Sequence, residues 1–422
     1  MRSLRLLKAF VDIDDQHIRE AWAFRKKKPG RGRRILPVAA CLALAAGLLF
    51  ILLKVLPLSP DLPGWESGFE TGQPPQGQVT PADLPLLQLE FEIGGMGFEG
   101  YMAYSIDDLV NENPWREDMI LDTLPVYKGP GYWAASGRQT EIDLEAMQSW
   151  ALELAGRLGL SEKELTVGDN RPAAEEIEAI REKYAAIGEE PPPGSFSGPT
   201  EVVVAGKGIE ITVDARFEAA IFFDPAIPLP GAYNFTYYAG YADTEATAEY
   251  LLECYRGLLG MKEPVINICG GDYNIYDEQM YRIEFFEGAG NAAEQIVAYN
   301  LGAANFFCED SGMLYGARIK RGAPGDKLGD YPLISAGAAR VLLEEGHFLT
   351  TVPADFPGLE YVRRAELIYR SGWEPTLLPY YRFYVEIPGM AKGERKTYGA
   401  YYVPAVESRY IQNMPLWDGS FN

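Results

Sequence analysis

Apolar and polar positions change their spacing along the chain, and each change marks an element. From Ile35 to Leu53 no position is charged. This 19-residue run, continuing to Leu56, has the length of a helix that spans a ~30 Å hydrocarbon core. At Leu87 the period becomes two: Leu87, Leu89, Phe91 and Ile93 alternate with Gln88, Glu90 and Glu92, which predicts a strand. Leu144, Met147, Ala151, Leu154 and Leu158 then recur at helical spacing, with Asp143 placed to cap them. Glu175 to Ile187 is a second helical run, charged on most faces. Two more helices are predicted. One covers Asp243–Leu259, with Ala248, Leu251, Leu252, Tyr255 and Leu259 as its apolar face. The other runs from Ser335 to Gly346, a natural residue just past a helix end. Strands are predicted over Glu201–Val204, Ile209–Phe223, Val265–Ile268, Tyr281–Phe286, Gly312–Lys320, Tyr361–Arg370, Pro379–Ile387 and Lys396–Val403. Lys207-Gly208 is the turn between the first two.

A helix followed by two or three strands thus recurs at roughly 142–223, 243–320 and 335–405, with no likeness of sequence among the three. This order predicts an α+β fold in which antiparallel sheets are each covered by a helix. The expected layout is a basic cytoplasmic tail (1–34), a transmembrane helix (35–56) and a Pro- and Gly-rich flexible stalk (57–85). An extracytoplasmic region of two helix-plus-sheet units (86–325), a third unit (326–410) and a tail (411–422) follow.

Charge gives the predicted span a direction. The net charge is -22, but residues 1–34 carry +7 and the remainder -29. The run Arg25, Lys26, Lys27, Lys28, Arg31, Arg33 and Arg34 precedes the span. The positive-inside bias therefore places the N-terminus in the cytoplasm and the rest outside a cell membrane. A cleaved signal peptide fits less well, because the apolar core is too long and no small-x-small site follows it. Val38-Ala39-Ala40-Cys41 has the form of a lipobox, yet twelve uncharged positions follow the cysteine. The acidic body argues against nucleic acid as a partner.

Candidate chemistry is sparse. Cys41, Cys254, Cys269 and Cys308 form no C-x-x-C pair, and after Cys41 one disulfide plus a free thiol or three reduced thiols remain open. His17 and His347 lie far apart, so no histidine-based metal cluster is expected, and no cofactor is expected. Gly95 to Gly100 has the form G-x-G-x-x-G, but Tyr101 to Tyr104 reads as a returning strand, which makes it a hairpin turn. Glu309-Asp310-Ser311-Gly312 has no partner histidine pattern. Gly270 to Glu278 offers oxygen ligands without the calcium-loop Gly and Glu positions. Along Pro379–Ile387, Tyr381, Phe383, Val385 and Ile387 point one way. Tyr380, Arg382 and Tyr384 point the other, as a candidate contact surface for a ligand or partner.

Two resemblances add to this. Asp12-Ile13-Asp14-Asp15, Ile18 and Glu20-Ala21, then the Lys/Arg run and one apolar span, resemble the start of a group of uncharacterised single-pass membrane proteins of Gram-positive bacteria. That group is similar in layout to anti-sigma-factor-like proteins. Three stretches resemble PepSY-like modules: Tyr331-Pro-Leu-Ile-Ser-Ala-Gly-Ala-Ala, Ala365-Glu-Leu-Ile-Tyr-Arg370 and Pro379-Tyr-Tyr-Arg-Phe-Tyr-Val385. This resemblance implies a small helix-plus-sheet module that acts by inhibition or by binding a partner. The expectation is a non-catalytic, membrane-anchored binding or regulatory protein, partnered by a membrane protein or envelope component. The alternative is a cell-envelope hydrolase of glycan or peptide, using carboxylates that no spacing singles out.

Overall fold

The computed structural model describes residues 84–89, 101–103, 105–129, 142–191, 199–273, 278–308, 311–322, 326–350, 352, 355–370, 376–392 and 395–419. All belong to one compact unit, Thr80–Asn422. In chain order its elements are β1 (Tyr101–Ala103), β2 (Thr123–Lys128), α1 (Leu144–Arg157), β3 (Thr166–Asp169), α2 (Ala174–Ile187), β4 (Glu201–Gly206), β5 (Ile209–Asp214) and β6 (Glu218–Ile227). Next come α3 (Tyr241–Leu259), β7 (Pro264–Tyr273), β8 (Gln279–Glu287), α4 (Ala292–Leu301), β9 (Ala304–Cys308), β10 (Leu314–Lys320) and β11 (Lys327–Pro332). The last are α5 (Ala336–Glu344), β12 (Leu349–Thr350), β13 (Val362–Tyr369), β14 (Thr376–Leu377), β15 (Pro379–Lys392) and β16 (Arg395–Pro404).

Local chemistry explains several of these elements. The Asp143 carboxylate accepts the Ala146 N–H at 2.9 Å and starts α1. That helix buries Met147, Trp150, Ala151, Leu154 and Ala155 in the core that also holds Val202, Val204, Ile211 and Val213 of β4 and β5. Lys207 (φ 48) and Gly208 (φ 77) form a two-residue turn with both φ positive, the geometry that matches the twist of paired strands. The Ser335 hydroxyl accepts the Ala338 N–H at 3.1 Å and starts α5.

The expected α+β order of recurring helix-then-strands units, each sheet covered by its own helix, is corrected. The strands form an eight-stranded antiparallel sheet in the order β3-β4-β5-β6-β10-β9-β8-β7, a five-stranded one in the order β1-β16-β15-β13 with β12 also on β16, and a three-stranded one in the order β11-β2-β14. The first two expected units therefore share one sheet, joined where β10 pairs with β6 in the register Ala317↔Ile221 and Ile319↔Ala219. The C-terminal strands are completed by residues that precede the first helix. β1 pairs with β16, and β2 lies between β11 and β14. Trp115 and Leu124 are buried with Phe383 and Tyr401. Antiparallel sheet predominates, with five helices among the described residues. The local alternation sets where strands form, but their pairing across the chain is decided by long-range burial that no window of sequence contains.

The expected single-pass localisation is corrected as well. Among the described residues no helix is long and apolar enough to cross a membrane. The longest, α3, carries Asp243, Glu245, Glu249, Glu253 and Arg256. The stretch from Ile35 to Leu56 lies outside the described residues, as do the basic tail, the stalk before Leu84 and the Gly95–Gly100 turn. Of the predicted strand from Leu87 to Ile93, Leu87 makes one bridge to Ile411, and residues 90–93 lie outside the described residues.

Candidate functional site

The predicted contact surface is buried. Tyr380 is 2% exposed and Tyr384 3%, and Arg382 lies between them on β15 with strands on both sides. Period-two alternation separates two faces of a strand, but it does not say that either face is wet. Tyr381, Phe383, Val385 and Ile387 fill one core cluster, while Tyr380 packs in another with Tyr402 and Leu87. The correction to Tyr380, Arg382 and Tyr384 as an exposed set follows from this second cover.

Arg382 and Tyr384 instead belong to a buried ionic junction centred on Glu366, itself 3% exposed. Arg382 sits opposite Glu366 in the β13–β15 register and donates to its carboxylate through Nε at 3.1 Å and through Nη2. Arg364 Nη2 lies 2.7 Å from Glu366 Oε1, and Asn111 Nδ2 donates to the same oxygen at 2.8 Å. The Tyr384 hydroxyl donates at 3.4 Å, and the Arg382 guanidinium lies 5.1 Å from the Tyr384 ring centroid. Burial pushes the Glu366 carboxyl up, but Arg382, Arg364 and Asn111 outweigh it and hold the group below its ordinary value. Burial pushes the Tyr384 hydroxyl well up.

The junction extends to the edge of the eight-stranded sheet. Asn267 accepts the Glu112 N–H at 2.8 Å and donates to Glu284 at 3.1 Å. Val110 and Gly270 bond each other's backbone, and Asn113 donates to the Leu367 carbonyl at 3.2 Å. The stretch 105–115 thus ties the two large sheets together. A Cβ on Gly271 (φ 87) would strike the Asp108 carbonyl, so glycine is required where this strap meets β7. The sequence read Gly270 to Glu278 as a possible oxygen-ligand loop; its first two residues serve this docking, and residues 274–277 lie outside the described residues. The junction is unsuited to chemistry. Burial and Glu284 push the Cys269 thiol up to about 12, and Glu366 is ionised with both oxygens bonded.

The remaining sequence candidates are dispersed. His347 Nδ1 lies 2.8 Å from the Pro415 carbonyl, at the end of α5. Glu309 and Asp310 lie outside the described residues. Among the described residues no group of three or more His, Cys, Asp or Glu could hold a metal ion. Cys254, Cys269 and Cys308 are all free thiols, the first exposed and the other two buried. A thiol reagent on the native protein is therefore expected to modify Cys254 rapidly and Cys269 and Cys308 only after unfolding, as peptide mapping would read.

A cleft of about 820 Å³ is the site that the sequence did not indicate. It opens between α1, the end of α3, α4 and the ends of β10, β11 and β2. Its floor includes Trp150, 6% exposed, whose indole N–H meets no acceptor. The Arg157 guanidinium lies 5.2 Å from that ring and Arg321 lies 5.5 Å from it; Arg321 is also 5.3 Å from Phe217. Leu259, Met261, Val297 and Ile319 supply apolar wall. The acidic groups of the cleft are already engaged. Glu153 bonds Arg157 at 2.8 Å, Asp330 pairs with Lys327 at 2.7 Å, and Glu294 accepts the Asn291 N–H at 2.8 Å. Burial acts to raise the Glu287 carboxyl, but the N–H groups of Lys262, Ala289 and Glu263 bring it below its ordinary value. Burial and Asp330 push the Tyr127 hydroxyl up. Among the described residues Lys320 and Arg321 have no carboxylate partner. No local motif could have revealed this site, because its lining comes from five separate stretches.

No protein-family model matches the chain, and no curated protein matches it. A solved structure of an uncharacterised protein from Eubacterium rectale is similar to it, with 9% identity and a TM-score of 0.29. The match covers 68% of this chain and 84% of that one.

Proposed function

We propose that this protein is a non-catalytic binding protein and that the cleft floored by Trp150 is its ligand site. The observation that carries this reading is the cleft itself. Its volume of about 820 Å³ lies within the ~300–1,000 Å³ typical of small-ligand sites. It combines apolar wall with a few convergent polar groups, which is what orientation and selectivity require. Its carboxylates are occupied by caps and ion pairs, which leaves recognition rather than proton transfer as the chemistry at hand.

A thermal-shift panel of small carboxylates, sugars and short peptides tests it. A compound present at 100 times its Kd is expected to stabilise the native chain by about 2.7 kcal/mol. Ala298→Trp, which puts an indole into the cleft from α4, is expected to abolish that shift. A shift that survives Ala298→Trp, or turnover of a panel compound that the substitution abolishes, overturns the proposal.

A further inference from the structure

Resting on that reading of the cleft, we infer that its ligand is an organic anion with an apolar body, the acidic group held by Arg321 and Lys320. Lone surface cations are ordinarily solvated and signify little. Three observations set this pair apart. First, the chain beyond residue 34 carries -29, and its described cations are mostly paired, so two cations without an ion pair along the lining of one cleft are unusual for it. Second, Arg321 is held in place without a carboxylate: its guanidinium lies over both Trp150 and Phe217, and its backbone N–H donates to the Phe217 carbonyl at 3.1 Å. A guanidinium positioned by aromatic rings rather than by a carboxylate has N–H donors left over, and its planar fork fits an oxyanion in two-point fashion. Third, the carboxylates on the cleft wall are bonded elsewhere, Glu153 and Asp330 to Arg157 and Lys327, Glu287 and Glu294 to backbone N–H groups, and among the described residues none forms an ion pair with Lys320 or Arg321. The apolar half of the ligand follows from Trp150, Leu259, Val297 and Ile319, which line the same space.

Two fluorescent probes that share an aromatic body and differ in charge test this on the full chain: anilinonaphthalene sulfonate, an anion, and N-phenylnaphthylamine, which is neutral. The expected result is one saturable site that binds the anion more tightly. Lys320→Gln with Arg321→Gln is expected to weaken the anion by about tenfold or more, the loss appropriate to charge-assisted hydrogen bonds. The neutral probe should bind the variant as it binds the parent, which also shows that the fold is intact. Equal affinity for the two probes, an unchanged affinity of the variant for the anion, or loss of both probes alike overturns the anion inference and leaves the cleft reading standing. Failure of both probes to bind the parent, or binding that survives Ala298→Trp, overturns the cleft reading and the inference with it.

Discussion

Replacing Glu366 with leucine is expected to destabilise the protein by about 3–5 kcal/mol, read as a lower urea midpoint at an unchanged slope. The substitution leaves Arg382, nearly enclosed beside Tyr384, and Arg364 without their shared carboxylate. It is the desolvation of these uncompensated cations, more than the lost attraction, that costs. A second variant isolates that cause. Glu366→Leu combined with Arg382→Met removes the anion and the more buried cation together, and is expected to recover a large part of the loss. If the double substitution is as unstable as the single one, packing rather than charge explains the site. The pH dependence follows from the same contacts. The folded Glu366 carboxyl lies below its ordinary value of 4.5, so its stabilisation is fully present above that value. It is lost as the pH falls through the lower folded value. Glu366→Gln is therefore expected to flatten the acid limb of the stability profile below pH 4.5.

The parts of this fold that could be read from sequence are those with local causes. Asp143 and Ser335 announce helix starts because their side chains bond an N–H three residues on. Lys207-Gly208 announces a turn because glycine tolerates positive φ. Two further local signals lie in the chain. Asn291 and Glu294 form a capping box that opens α4, a helix the apolar spacing did not indicate. The carboxylate of Asp214 accepts the N–H groups of Arg216 (2.9 Å) and Glu218 (3.1 Å), which breaks the predicted strand Ile209–Phe223 into β5 and β6 at Phe217 (φ 56). The rest was illegible for a different reason. Tyr380, Arg382 and Tyr384 occupy one face of β15 as their alternation requires, but that face is closed by groups far away in sequence, Leu87 packed with Tyr380 and Asn111 bonded to the Glu366 that faces Arg382. The cleft is likewise a product of assembly, since Trp150 and Arg321 meet only because α1 and the end of β10 are brought together by the eight-stranded sheet.

Phe285→Ala is expected to cost about 3–5 kcal/mol, and its reach distinguishes one shared sheet from two independent units. Phe285 is fully buried on β8, with its ring centroid 5.7 Å from that of Phe306 in an edge-to-face pair. Truncating it leaves a cavity whose lining cannot collapse without moving the sheet. The first half of that sheet, β4 and β5, shares the same core cluster: Val202, Val204, Ile211 and Val213 are buried with Phe285, Phe306 and Ala317. Were the stretches 142–223 and 243–320 separate bodies, the amides of β4 and β5 would keep their parental protection in the variant. Because β10 bonds to β6 along Gly316 to Lys320, the opening of one half strips the hydrogen-bond partners of the other. Native-state hydrogen exchange is thus expected to show β4, β5, β8 and β9 losing protection by the same free energy. Protection lost only in β8 and β9 would mean that the seam between β6 and β10 does not couple the halves. Coupling matters for the cleft, because α1 and α4 pack on opposite sides of that seam in sequence yet line one space. A ligand held between them draws on the stability of the whole sheet.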